Sequence, residues 1–248
     1  MIHGHWGAVV TERLDDLELR ILQVLGSPTE AENTFQIRLE TSRGPLECMF
    51  YAVEGGTGAA VFVGGAMGGI DGPANGLYSR LPAALAENGV SSLRIEYRQP
   101  NEFDECVLDV LGGCSFLKGV GATDVVLVGH SFGGAVVIKA CELSPMARAV
   151  ASLSPQLFGT RTVENLESPL LLVHGAADSV LASDASENIY SRANDPKHFV
   201  HIADTGHSLG GASDQLEALL SEWIPARLTG EPMESGRTDW YQDPEREA

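Results

Sequence analysis

Ser131 lies in Gly129-His130-Ser131-Phe132-Gly133, with Gly134 next. An apolar run, Val125–Val128, precedes the motif, and a helix-compatible segment begins near Gly133. A chain that turns abruptly from strand to helix holds the residue between them in a strained backbone conformation. Small residues two before and two after let strand and helix come close. Such a turn lifts the Ser131 hydroxyl clear of a sheet and beside a helix N-terminus. The Phe132 N–H then faces the place where a carbonyl oxygen would gain negative charge. The competing reading is a tight glycine turn that happens to contain serine.

A serine hydroxyl needs a base within hydrogen-bond reach to act as a nucleophile. His207, in Asp204-Thr-Gly-His-Ser-Leu209, follows the last apolar run and precedes the last helical segment. His130 adjoins the serine, but its side chain is expected to point away. His174 ends a strand and braces a loop, His198 and His201 lie in or beside a strand, and His3 and His5 are terminal. A histidine base needs an acceptor for its second nitrogen. Asp178, in His174-Gly-Ala-Ala-Asp178, fits, and the order Ser131, Asp178, His207 matches strand-edge hydrolases. Asp184, expected to cap the following helix, and Asp204, expected to shape a turn, are the competitors.

A second oxyanion donor is expected from Gly64-Gly-Ala-Met-Gly-Gly69, where glycines leave backbone N–H groups unobstructed. Ala66 N–H is the first choice and Met67 N–H the next. A phosphate-cradling loop is disfavoured, because the spacing is not G-x-G-x-x-G and no GK[ST] follows. Met67, Phe132 and Leu157 would line an apolar pocket, or be ordinary core. Arg98, in Glu96-Tyr-Arg98, could grip a substrate carboxylate; a structural ion pair with Glu96 or Glu102 is the favoured alternative. His3 and His5 lack a third ligand nearby, so no metal site is expected.

From about Phe35 to Leu228 the chain resembles the α/β-hydrolase superfamily, particularly small members akin to dienelactone hydrolase and compact bacterial esterases. The resemblance rests on Arg43-Gly44, the glycine loop after Val63, Gly-His-Ser-Phe-Gly-Gly, His-Gly-Ala-Ala-Asp and Gly-His-Ser. It implies a mostly parallel twisted sheet and cleavage of esters or related acyl bonds. Two positions depart from the pattern. Gly64 stands where many members carry histidine, and Ser131 stands where dienelactone hydrolases proper use cysteine.

The elements that must position these residues are legible in the hydropathy. Phe35–Leu39 and Leu46–Val53 alternate, as an antiparallel hairpin does. Later runs are continuous: Ala59–Val63, Val90–Ile95, Asp124–Val128, Ala147–Leu153, Leu170–Val173 and His198–Ile202. Such runs suit strands covered on both faces. Helical stretches alternate with them at 76–88, 103–118, 133–143, 184–193 and 208–228. This rhythm predicts an α/β fold with helices on both faces of the sheet. Residues 156–168 are too few for a large helical cap domain.

The chain divides into an N-terminal helical extension (1–32), a catalytic domain (33–228) and an acidic tail (229–248). Leu14, Leu17, Leu19, Ile21, Leu22 and Leu25 carry helix-like spacing, stopped at Gly26-Ser27-Pro28. The tail's composition predicts disorder, with a docking peptide on Trp240-Tyr241 as the alternative.

Sixteen Lys and Arg against 34 Asp and Glu give a net charge of -18. That balance repels nucleic acid and anionic membrane faces. With only three lysines, it suits a high-salt cytoplasm, or a genome that writes Arg for Lys. Cys48, Cys106, Cys114 and Cys141 show no pairing framework and read as buried hydrophobes in a reducing compartment. No signal peptide or membrane span is visible, so a cytoplasmic location is expected. The expected function is acyl transfer to water from a small-molecule acyl substrate, without cofactor. The rivals are a thioesterase, a peptidase, an acyltransferase, a non-catalytic binding module and an interaction protein. Oligomeric state stays open, a homo-oligomer included.

Overall fold

The computed structural model describes residues 17–240. Its strands are β1 (Ile21–Pro28), β2 (Thr34–Thr41), β3 (Leu46–Tyr51), β4 (Gly58–Val63), β5 (Val90–Glu96), β6 (Asp124–His130), β7 (Ala147–Leu153), β8 (Leu170–Gly175), β9 (Lys197–Ile202) and β10 (Gly236–Trp240). The helices are α1 (Pro73–Ala86), α2 (Phe103–Gly119), α3 (Phe132–Leu143), α4 (Asp184–Arg192) and α5 (Ser213–Leu228). One sheet holds all ten strands in the order β1-β2-β3-β5-β4-β6-β7-β8-β9-β10. The β1–β2, β2–β3 and β3–β5 pairs are antiparallel; every later pair is parallel.

Continuous apolar runs arise because each central strand serves two cores. In β4, Ala59, Val61 and Val63 face α2 and α3, while Ala60 and Phe62 face α1 and α5. In β6, Val125 and Leu127 join the first core, and Val126 and Val128 the second. Alternation thus survives in the packing although both sets are apolar. Between β7 and β8 there is a single 3-10 turn, Val163–Asn165, and no cap domain. Among the described residues, no helix is long and apolar enough to cross a membrane. All four cysteines are buried, and burial pushes the Cys106 and Cys141 thiols up to about 12.

The expected N-terminal helix is corrected where the structure describes it: residues 21–28 form a strand. β1 adds to the outer edge of β2, from Ile21 opposite Thr41 to Pro28 opposite Phe35, with a register shift between Ile21 and Gln23. An extra residue in a strand shifts the facing of its side chains. Ile21 and Val24 therefore both pack on the core, at a spacing of three that imitates a helix. The rest of that expectation, Leu14 included, lies outside the described residues, as do His3 and His5.

The disordered tail is corrected in the same way. β10 pairs in parallel with β9, Gly236 opposite His198 through Trp240 opposite Ile202. Trp240 packs against the second core. Arg237 bonds Glu187 at 2.6 Å and lies 4.4 Å from the Tyr190 ring centre. The open edge of β9 supplies backbone partners that an averaged composition cannot register. Tyr241 lies outside the described residues. Asp184 is the first residue of α4, after Ser183 at the cap position, and makes no capping bond.

Candidate active site

Three glycines make the turn between β6 and α3 possible. A Cβ on Gly129 would lie 2.1 Å from the Gly133 carbonyl oxygen, and one on Gly133 2.1 Å from that of Gly64. On Gly134 it would lie 2.6 Å from Ser152 Oγ. Ser131 itself has φ 59. A non-glycine residue in this region costs about 1–3 kcal/mol, which the surrounding structure must sustain. Ser131 N–H donates to Leu153 O at 2.8 Å, and Ser131 O accepts from Gly134 N–H at 3.0 Å and Gln156 N–H at 3.3 Å.

His207 reaches the serine from the loop between β9 and α5. Its Nε2 lies 2.9 Å from Ser131 Oγ and its Nδ1 2.7 Å from Asp178 Oδ2. Gly175 lets that loop descend, because a Cβ there would lie 2.1 Å from Thr205 O. Asp178 follows β8. Its Oδ1 accepts the N–H groups of Val180 (2.8 Å) and Leu181 (2.9 Å). Burial alone would raise this carboxyl, but the Leu181 N–H, the His207 imidazole and the Val180 N–H outweigh it and hold it below the usual carboxylate range. An ionised carboxylate only accepts, so the proton of His207 sits on Nδ1. Nε2 is left bare to receive the Ser131 O–H.

The sequence-chosen residues Ser131, Asp178 and His207 are thus brought into one hydrogen-bonded row. Phe132 opens α3, where the first N–H groups have no partner within the helix. The Gly64–Gly69 loop lies against Ser131: a Cβ on Gly65 would be 3.6 Å from Ser131 Cβ. Ala66 and Met67 belong to that loop, and Met67 is 93% exposed. Leu157, next to Gln156, is partly exposed.

No protein-family model and no curated protein sequence matches the chain. Solved structures do. Est1E from Butyrivibrio proteoclasticus superposes with a TM-score of 0.69 at 16% identity, covering 78% of this chain and 99% of its own. Dienelactone hydrolase from Anabaena variabilis gives 0.68 at 18% identity, with 77% and 95% covered. XC6422 from Xanthomonas campestris, described as an α/β serine hydrolase without a lid, gives 0.63 at 19%, with 81% and 99% covered. The fold is that of the α/β-hydrolases.

In this fold the carboxyl ends of the parallel strands β4, β6, β8 and β9 lie along one edge, which explains why the row forms from distant segments. Arg98 does not join it. Its guanidinium pairs with Asp109 and, at 2.9 Å, with Glu105, and it donates to Arg43 O at 2.9 Å. With its side chain 3% exposed, it has no face left for a substrate. The partners differ from the expected Glu96 and Glu102; Glu96 instead accepts from Gly69 N–H at 2.9 Å.

His130 corrects a second expectation. Its ring does not point away: Nε2 donates to His207 O at 2.9 Å. Burial, only partly offset by that bond, pushes it down to about 4, so it is neutral at neutral pH. Sequence reasoning also passed over His174 as a loop brace, although it lies 3.1 Å from Asp178 Oδ2. Its signal was the four-residue spacing His174-Gly-Ala-Ala-Asp178, read only for the aspartate. Among the described residues, no group of three or more His, Cys, Asp or Glu side chains is arranged to hold a metal ion.

Proposed function

We propose that the protein is a serine hydrolase that cleaves a carboxylic ester or related acyl bond of a small molecule through an acyl-enzyme. The hydrogen-bonded row from Ser131 through His207 to Asp178 carries this reading. Ser131 Oγ attacks the carbonyl carbon as His207 Nε2 takes its proton. Asp178 stabilises the imidazolium that results. The Phe132 and Ala66 N–H groups hold the oxyanion. His207 then protonates the leaving group, and water, deprotonated by the same nitrogen, releases the acid.

The rim suggests the kind of acyl group. Met67 (93% exposed), Phe158 (70%) and Val180 (67%) are large apolar side chains left in water, with Leu157 beside them. Val180 lies just past Asp178, Met67 follows Ala66, and Leu157 and Phe158 follow Gln156, whose N–H bonds Ser131 O. Water-exposed apolar surface around a mouth without a cap favours a substrate with an apolar acyl or alcohol portion.

The test is a fluorophosphonate probe read by intact mass on wild type and Ser131→Ala. One adduct on wild type, lost in the variant, supports the reading. Folded wild type that takes no adduct overturns it in favour of a non-catalytic binding protein. Paired ester, thioester and anilide substrates then separate esterase, thioesterase and peptidase activity. An added alcohol acceptor reveals acyl transfer.

A further inference from the structure

His174 ends β8 fully buried, and each of its ring nitrogens has a partner. Nε2 lies 3.1 Å from Asp178 Oδ2 and 3.0 Å from Leu181 O. Nδ1 lies 2.7 Å from Ser186 Oγ, on α4. A backbone carbonyl only accepts, and so does an ionised carboxylate. The His174 proton is therefore on Nε2, shared between them, and bare Nδ1 accepts the Ser186 hydroxyl. Burial disfavours a second proton on this ring.

Asp178 then receives four N–H groups. Oδ1 takes those of Val180 and Leu181; Oδ2 takes His207 Nδ1–H and His174 Nε2–H. Two imidazoles compete for one oxygen. The more negative charge His174 draws from Oδ2, the less remains to stabilise a proton on His207.

We propose that His174, fixed in one tautomer by Leu181 O and Asp178 and braced by Ser186, is a positioning residue that tempers the pull of Asp178 on His207 and so sets the basicity of the reacting imidazole. The proposal rests on the serine-hydrolase reading for its catalytic meaning, but not for its physical test. The titratable groups around His207 are Asp178 from the loop after β8, His130 from β6 and, through Asp178, His174 itself. His130 contacts the His207 carbonyl rather than its ring nitrogens. Around His174 stand Asp178 and the uncharged Ser186.

Three full-length variants test it: His174→Phe, which keeps an aromatic ring and loses all three bonds; His174→Gln, whose amide N–H restores a donor to Asp178; and Ser186→Ala, which takes the hydroxyl from Nδ1 and so weakens Nε2–H as a donor. Two readouts are taken. One is kcat/KM against pH on an activated ester. The other is NMR titration of the His207 ring C–H resonances, which needs no turnover. In His174→Phe both midpoints are expected to move to higher pH, by about half a unit or more, because the carboxylate keeps more charge for His207. His174→Gln returns them toward wild type, and Ser186→Ala moves them the same way by less. A purely structural brace would lower the melting temperature and leave the midpoints in place. Unmoved midpoints in folded His174→Phe overturn the proposal. Should that variant not fold, unmoved midpoints in Ser186→Ala overturn it instead. If wild type neither turns over ester nor takes the fluorophosphonate, the hydrolase reading fails alone, and the NMR titration still decides the role of His174.

Discussion

The rings of His130 and His207 are tilted against each other, their centres 4.9 Å apart and their planes 47° from parallel, while the first ring bonds the backbone of the second. The residue before the serine therefore fastens the loop that carries the base. β6 supplies both ends of the proton-transfer distance, the serine directly and the histidine through this tether. In His130→Phe the ring volume stays and the donor goes. The His207 loop loses its fixed height above Ser131, and misplacement by a fraction of an ångström slows a reaction that needs near-attack geometry. A fall in kcat of about tenfold to a hundredfold is expected, with little change in KM. Steady-state kinetics on one ester check this; an unchanged kcat would make the tether dispensable.

The same residue makes stability depend on pH. His130 titrates at about 4 in the folded protein against 6.5 for an unperturbed histidine. Between those values unfolding takes up a proton, so folding is progressively less favoured as the pH falls through that window. His174, also lowered by burial, acts in the same direction. Asp178, whose carboxyl is depressed, adds a loss at still lower pH, as the folded carboxylate is finally protonated. Melting temperatures at pH 7, 5.5 and 4.5 should fall for wild type. The gap between wild type and His130→Phe should narrow on acidification, since the variant has no such proton to take up. A gap that widens would contradict the assignment.

How much of this the sequence disclosed depends on the range of the interaction. The Gly129–Gly133 turn was legible because its constraint is local: two glycines four apart must touch. Asp178 and His207 were legible because the fold puts each just past a strand end. β1 was misread because a register shift gave Ile21 and Val24 the spacing of a helix. β10 was missed because its stability comes from β9, and five residues cannot advertise a partner about forty positions away. The partners of His130 and Arg98 were hidden for the same reason. Which group meets a buried side chain is decided by tertiary packing, not by neighbours in the chain.

Arg98 separates structure from substrate binding. Asp109 beside it is fully buried, and burial pushes its carboxyl up to about 6 despite the guanidinium. In Arg98→Met that carboxyl and Glu105 lose their shared cation. Breaking one side of a buried pair costs about 3–5 kcal/mol, so a lower urea midpoint is expected. KM for neutral and carboxylate-bearing esters should shift together or not at all. A selective rise in KM for the carboxylate-bearing ester would restore Arg98 to substrate recognition.

The apolar rim has an aromatic backing that gives it a direction. Phe132, beside the serine, meets Phe103 edge-on at 6.0 Å, and Phe103 meets Phe158 at 5.7 Å. Gly159 keeps this contact open, because a Cβ there would lie 2.3 Å from the Phe103 ring. The ladder runs from the nucleophile turn to an exposed ring, so an acyl chain extending along it would gain apolar contact with each added methylene. Burying a methylene contributes about 0.8 kcal/mol, close to a fourfold gain in kcat/KM per carbon. In Phe158→Ala the outer end of the ladder is gone. Short acetyl esters should be hydrolysed as by wild type, while the gain with chain length should flatten beyond the first few carbons. The measurement is kcat/KM across a series of straight-chain esters. Equal slopes in wild type and variant would place the acyl chain elsewhere on the rim, along Met67 or Val180.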